Sequence, residues 1–356
     1  MAHSITRRHN RAALFAGLFI VAVGVIRFPA DDFRLEMQAL FQVASVLLLC
    51  VILWNVNKWM SLFLLLCLVS MFYPFYTRHS FLAFQDVFYA FVWFTLLTLC
   101  LRRSHYHYIL SGICLVALAN VAFLILQYFN LDPIFKAVNG SPEDPVVGLM
   151  GNRNFVSALL AFSFPAFLRP RWVWCIPALF LGLVLAKSTG GPLALAAGWM
   201  FYSVLRGRAI FPLLAVALGL LLFVAFVDKP NFFGGRLEAW KNALGYYQQH
   251  WLMGCGLGHW KIVFKRIMLQ GNRFWWTHAH NEIIQGLFEM GVGFAIVLTG
   301  YIYDTARKYK REALVPATAL IIIFINSLVN FPFHIATTAM LAVTWMALYD
   351  IEVAHE

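Results

Sequence analysis

Apolar runs of roughly 16 to 22 residues recur along this chain, which is the length a helix needs to cross about 30 Å of hydrocarbon. No motif constrains the fold as strongly. Backbone groups in lipid must pair within their own segment, so each long run is expected to be a helix. The pattern predicts twelve spans, near 12–28, 37–56, 59–76, 81–101, 106–129, 154–168, 172–187, 190–205, 209–227, 280–302, 313–330 and 335–350. The spans at 154–168, 172–187 and 190–205 are short and carry prolines, so they are expected to tilt, break or re-enter. Composition agrees: 62% of residues are hydrophobic and 12% charged, where a soluble domain is about half apolar and a quarter charged. The expectation is one integral membrane domain over residues 1–356, an all-α polytopic transmembrane helical bundle of about 12 spans. The basic, apolar N-terminus reads as the first span, because no small-residue cleavage site follows it.

Basic residues in short loops set the orientation. With Arg7, Arg8 and Arg11 in the cytoplasm, the same side receives Lys58, Arg102, Arg103, Arg169, Arg171, Arg206, Arg208, Arg307, Lys308, Lys310 and Arg311. The opposite short loops carry Arg27, Arg34, Arg78 and Lys187, the first two offset by Asp31, Asp32 and Glu36. Both termini are therefore expected in the cytoplasm. Five of the cysteines lie in apolar runs, where cysteine behaves as a small hydrophobe. Cys255 alone sits in a polar loop, and no metal or disulfide spacing is present.

The longest outer loop, 228–279, breaks the charge pattern. It holds Lys229, Arg236, Lys241, Lys261, Lys265, Arg266 and Arg273 against Asp228 and Glu238. Long loops translocate despite such charge, but the surplus needs a reason. Leu237, Trp240, Leu244 and Tyr247 recur at helical spacing and predict one amphipathic helix within the loop. Tyr246, Trp251, Trp260, Phe274, Trp275 and Trp276 suit the headgroup level. A basic, aromatic, interfacial loop suits an anionic amphiphile, either as substrate or as a headgroup that anchors the loop. Nucleic acid is not an expected partner. "MGCGLG" lacks the preceding strand and following Lys-Ser/Thr of a phosphate loop.

"THAHNEIIQGLFEMG" carries the sharpest chemistry. His280 has an imidazole able to take a proton from a hydroxyl near neutral pH, although an interfacial histidine can also be a helix cap. Glu282, Gln285 and Glu289 form one helical stripe, and Glu289 falls about two turns into a span, where a carboxylate is costly. His278 reads as structural, and no third ligand makes "HAH" a metal site. Other span mouths on the outer side carry Asn152, Arg153 and Asn154, then Lys187 and Ser188, then Asn330 and His334. Several polar mouths on one side predict a shared outer cavity. Asp86, Asn120 and Asn326 read as interhelical hydrogen-bonding groups.

These pieces resemble, in order, the motifs of the bacterial O-antigen ligase and polymerase superfamily. "GNRNFVSALLAF" is similar to the family's "GNpN" segment and "KSTGGPLALAAGW" to its "SRg" segment. "GGRLEAWKNALGYYQQHWLMGCGLGHW" is similar to its "sgR…W…GxGxg" loop. "HAHNEIIQGLFEMGVGF" is similar to its "HN…ExG" span, and "SLVNFPFHI" to its late proline motif. The likeness covers roughly residues 145 to 345. It implies a GT-C-like fold with a large periplasmic loop, and a metal-independent, cofactor-free, inverting glycosyltransferase in the bacterial inner membrane. The implied donor is a glycan on undecaprenyl pyrophosphate. The implied acceptor is a hydroxyl of a lipid A core sugar in a ligase, or the growing glycan in a polymerase. By motif position His280 is the general base, Arg236 the pyrophosphate clamp and Glu289 the carboxylate of the ExG motif. Asn281, Asn152 and His334 are further candidate substrate contacts. Thr189 stands where the family has arginine, so Arg153 or Lys187 is expected to supply the lost charge. A transporter or lipid flippase would also account for many spans, but it predicts inverted repeats, and none is evident.

Overall fold

The computed structural model describes residues 54, 57–73, 78–131, 146–207, 234–269 and 276–354. Eleven α-helices and no strand occur among them. They are α1 (Lys58–Phe72), α2 (Arg78–Cys100), α3 (Tyr106–Tyr128), α4 (Arg153–Phe167), α5 (Ile176–Ala186) and α6 (Gly190–Leu205), followed by α7 (Gly234–Gln249), α8 (Trp260–Leu269), α9 (Glu282–Arg307), α10 (Leu314–Ser327) and α11 (Ala336–Ala354). Three helical stretches are long and apolar enough to cross a membrane: Arg78–Cys100, Arg103–Tyr128 and Glu282–Arg307. The chain is thus a helical membrane protein. Nine of the expected spans coincide with helices. Those near 12–28 and 209–227, and nearly all of 37–56, lie outside the described residues, as do Arg27, Arg34, Lys229, Arg273, Phe274 and Trp275.

The short segment at 154–168 has a physical explanation in α4. Twelve consecutive residues, Val156 to Phe167, are buried, so α4 is walled by protein on all sides. Its core includes residues of α3, α5, α6, α10 and α11. Glycine permits the closest approach: a Cβ on Gly191 of α6 would lie 2.5 Å from the Ser157 carbonyl of α4, the small-residue packing typical of membrane helices. A second core joins α1, α2, α9 and α11. There α2 contributes Phe84, Phe88, Phe91, Phe94 and Leu97, spaced three or four apart on one face. Asn57 caps α1 through Oδ1, accepting from the Trp59 and Met60 N–H groups, while its Nδ2 donates to Asp350 of α11 at 2.7 Å.

The described part of the 228–279 loop contains two helices where the sequence pattern predicts one. The expected apolar stripe of α7 is divided, with Trp240 and Tyr247 half-buried. Leu237 and Leu244 are exposed, and the buried face is Ala239 and Ala243. Small residues let α7 lie close against the rest of the loop core, formed with Cys255, Trp260, Phe264 and Phe288. On α8, Trp260 and Phe264 point in while Lys261, Lys265 and Arg266 are exposed. Cys255, expected in a polar loop, is fully buried.

Helix α9 breaks at Gly291, which takes φ 63° and ψ −152°. The break exposes backbone groups that the 251–258 segment then satisfies. The Cys255 and Gly256 N–H groups donate to the Phe288 and Glu289 carbonyls, each at 2.8 Å, and the Val292 N–H donates to the Trp251 carbonyl at 2.7 Å. The loop also sits against the end of α1, where Leu257 N–H donates to Ser70 Oγ at 2.9 Å. Gly254, Gly256 and Gly258 all have positive φ, and a Cβ on Gly256 would lie 1.9 Å from the Tyr73 carbonyl oxygen. Prediction: Gly256→Ala lowers the apparent Tm of the detergent-purified protein, reflecting a cost above about 1 kcal/mol from strain and clash together. Gly112→Ala, with no atom within 4 Å of its new Cβ, serves as the control and leaves Tm unchanged or raised. Equal behaviour of the two variants would contradict the docking of this loop.

Candidate active site

The site is built on the segment that enters α9. Asn281 is extended and caps the helix, its Oδ1 accepting from the Ile283 and Ile284 N–H groups at 3.0 Å each. Its Nδ2 donates to the Leu328 carbonyl at 2.9 Å, tying α9 to the chain leaving α10. His280, just before the cap, has φ 52°, an uncommon left-handed conformation for a residue with a side chain. The surroundings impose it. Ala279 is gripped from both sides: its N–H donates to Gln285 Oε1 at 3.0 Å, and its carbonyl accepts from Trp240 Nε1 at 2.6 Å.

Arg236 and Trp240 lie one turn apart on α7, so they share a face. Trp240 holds the histidine segment, and Arg236 donates through Nη1 to the Val329 carbonyl at 3.2 Å. The His280 ring meets Trp276 and Phe331 edge-on, with centroids 4.9 and 4.7 Å away. His278 stacks on the Phe331 ring at 4.6 Å and lies 4.7 Å from His334. Both His278 Nδ1 and His280 Nδ1 are buried without a hydrogen-bond partner. Burial, with the nearby Arg236 charge, pushes the His280 pKa down to about 4. Burial, with His334, Lys261 and His280 around it, pushes His278 down to about 3. Both rings are therefore neutral at pH 7. Burial also lowers the Arg236 pKa, but a guanidinium remains charged at any physiological pH.

His334 is different. Its Nδ1 lies 3.2 Å from Glu282 Oε2, and Glu282 Oε1 also accepts from the Phe333 N–H at 2.8 Å. Gln285 Nε2 lies 2.9 Å from His334 Nε2. Burial disfavours the charged ring, but Glu282, with Glu289 and Asp86 beyond it, outweighs that effect and holds the pKa above its ordinary value.

His280, Asn281, Arg236 and His334 thus converge on residues 328–334. Arg153 and Lys187 are exposed and join this region through their neighbours. Phe155 meets Phe331 edge-on at 5.5 Å, and Ser188 Oγ donates to Asn154 Oδ1 at 2.9 Å. Asn152 caps α4 through its side chain, accepting from the Asn154 N–H at 2.8 Å. Lys187 ends α5 in a left-handed conformation, φ 47°.

Glu289 joins this segment to the neighbouring loop. Its carboxylate accepts from the Gly258 N–H at 3.0 Å, the Trp260 N–H at 3.2 Å and Gln285 Nε2 at 3.3 Å. It binds the glycine loop and the first turn of α8. Sequence reasoning did not single out Trp240, Phe331 or the Glu282–His334 pair as site components. The stripe of Glu282, Gln285 and Glu289 was the available signal. Among the described residues, no group of three or more His, Cys, Asp or Glu could hold a metal ion. No protein-family model and no curated protein matches this chain significantly.

Prediction: Glu289→Ala strands two backbone donors and one amide, at about 1–3 kcal/mol for each group left buried without an acceptor. Hydrogen exchange should quicken in the 253–264 segment while α4 stays protected. Unaltered exchange in that segment would show that the carboxylate is not its anchor.

Proposed function

We propose that the protein is an O-antigen ligase-like glycosyltransferase. It moves a glycan from undecaprenyl pyrophosphate to a hydroxyl of a lipid A core sugar, without a metal and with inversion. In this reading the fold is GT-C-like, the spans number about twelve, and both termini lie in the cytoplasm. The 228–279 loop and the site then face the periplasm from the bacterial inner membrane. A polymerase of the same superfamily differs only in its acceptor, the growing glycan. The observation that carries the reading is that Arg236 and His280 meet the same turn, Arg236 donating to the Val329 carbonyl at 3.2 Å and the His280 ring meeting Phe331 at 4.7 Å.

The chemistry follows from that pair. The acceptor oxygen attacks the anomeric carbon from the face opposite the pyrophosphate. The bond from that carbon to the phosphate oxygen breaks, and its electron pair leaves with the pyrophosphate. Arg236 takes up the charge of the departing anion, with its fork matched to phosphate oxygens. A single charge pair at 4 Å amounts to about 4 kcal/mol at an effective dielectric near 20, before desolvation. The hydroxyl proton passes to His280. A weak base suffices, because a hydroxyl becomes strongly acidic as its oxygen bonds to an oxocarbenium-like carbon. Pyrophosphate bound at Arg236 also offsets the charge that depresses His280, so the base strengthens when the donor is present.

Prediction: His280→Ala abolishes transfer from a lipid-pyrophosphate glycan while membrane insertion is retained. Near-normal turnover in that variant would remove His280 from the mechanism. Prediction: kcat/KM falls on the acid side as His280 takes up a proton in the free enzyme, at about pH 4 and well below the ordinary 6.5. Arg236→Ala raises this limb only part of the way, since burial is the larger cause and remains, and it weakens donor engagement. A limb that does not move, together with unchanged donor affinity, would separate the two residues.

A further inference from the structure

The cluster around residues 328–334 is divided by charge. Arg236 stands on one part of it, with exposed Arg153 and Lys187 joined through Phe155 and Ser188. The other part is acidic. Glu282 pairs with His334, and Glu289 and Asp86 also act on that ring. A pyrophosphate suits the first part and is repelled by the second. The acidic part is reached at its edge: the Glu282 side chain is mostly buried at 12% exposure, while His334 keeps 30% and the adjoining Phe333 is 39% exposed.

Its hydrogen-bonding capacity is only partly used. Gln285 fixes His334 through Nε2, and the Phe333 N–H takes one Glu282 oxygen. A carboxylate has about four acceptor sites, so Glu282 retains capacity for a hydroxyl. His278 Nδ1, beside His334, has no partner. An exposed aromatic residue whose backbone N–H meets the carboxylate, and which precedes an imidazole in sequence, is complementary to one class of ligand. A pyranose offers an apolar C–H face to the ring and vicinal hydroxyls to the polar groups.

We propose that Glu282, His334, His278 and Phe333 form a saccharide subsite that holds the acceptor as a neutral pyranose ring. This rests on the transferase reading above and assigns its two substrates to the two parts of the cluster. The Glu282 carboxylate disfavours a uronic acid or a phosphorylated sugar beside it, while Lys261 acts on the His278 side. Glu282 positions the acceptor directly and, through the Phe333 N–H, shapes the turn that carries the aromatic ring.

The test uses the full-length protein purified in detergent and a core oligosaccharide released from lipopolysaccharide by mild acid. Saturation-transfer difference NMR should show contact from protein aromatic protons to the neutral hexose rings. Glu282→Gln keeps an acceptor for the Phe333 N–H but removes the charge, and Phe333→Ala removes only a partly exposed ring. Each should weaken oligosaccharide binding about 10- to 100-fold. In transfer assays each should raise the acceptor KM with the donor KM unchanged. Arg236→Ala should leave oligosaccharide contact intact. Contact that persists in both Glu282→Gln and Phe333→Ala, or that vanishes in Arg236→Ala, overturns the subsite. Wild-type protein that shows the contact and its loss in the variants, yet forms no product from lipid-pyrophosphate donors, supports the subsite and sinks the transferase reading instead.

Discussion

The break of α9 at Gly291 is the constraint on which the half of the molecule carrying the histidine cluster depends. A helix interrupted within a membrane protein leaves carbonyl and N–H groups that must find partners. Here they find them in the 251–258 segment, which docks against the unwound turn and against the end of α1. Glu289, just before the break, completes the joint by accepting from Gly258 and Trp260. The glycine-rich loop is therefore built for close backbone approach, and its positive-φ residues are required by sterics. The two motifs are parts of one lock. It sets where α8 begins, and Trp260 and Phe288, both buried, pack edge-on beneath it at 4.7 Å.

From that lock the position of His280 follows. The first turns of α9 are fixed at one end by the loop and at the other by the Asn281 cap. Trp240 and Gln285 then grip Ala279 between the two histidines. Under this much restraint a left-handed His280 is held without needing glycine, in keeping with strain persisting where its surroundings over-determine it. Gln285 links the two halves of the arrangement, since it touches Ala279, Glu289 and His334 together. The positions of both imidazoles are in this way set by groups that do not themselves resemble catalytic residues.

How much of this the sequence discloses depends on range. Apolar run length locates nine helices within a few residues, because each run carries its own signal. The inward face of α7 was not legible. Leu237 and Leu244 dominate any hydrophobic periodicity, while the packed face is made of Ala239 and Ala243. Helix α8 was missed because ten residues with three cations read as charged loop. Arg236 and His280 could be named from motif order, and both were found at one cluster. The Glu282–His334 pair spans 52 positions, and no local pattern announces such a contact. Glu289 illustrates the opposite problem. A carboxylate inside a span signals that something is important, but not whether the task is chemistry or architecture.

If the proposed transferase reading holds, Thr189 stands where an arginine is expected, and the same geometry bears on that difference. The N-termini of α4, α6 and α9 begin at one level. Ser188 meets Asn154 at the start of α4, the Asn330 amide lies 3.7 Å from the Cβ position of Gly190 at the start of α6, and Asn281 holds Leu328 at the start of α9. Each helix start carries about half a positive charge. Their field adds to those of Arg153 and Lys187, which lie in sequence at or just before the starts of α4 and α6, and to that of Arg236 near residue 329. A bidentate guanidinium and a helix dipole are not equivalent, since the first sets the orientation of a phosphate and the second only favours its charge. Under the transferase reading, this chain keeps one orienting arginine, Arg236, and relies on diffuse positive potential for the rest. Such a site tolerates variation in the bound diphosphate, and it shifts the burden of alignment onto the acceptor side, where Glu282, His334 and Phe333 stand.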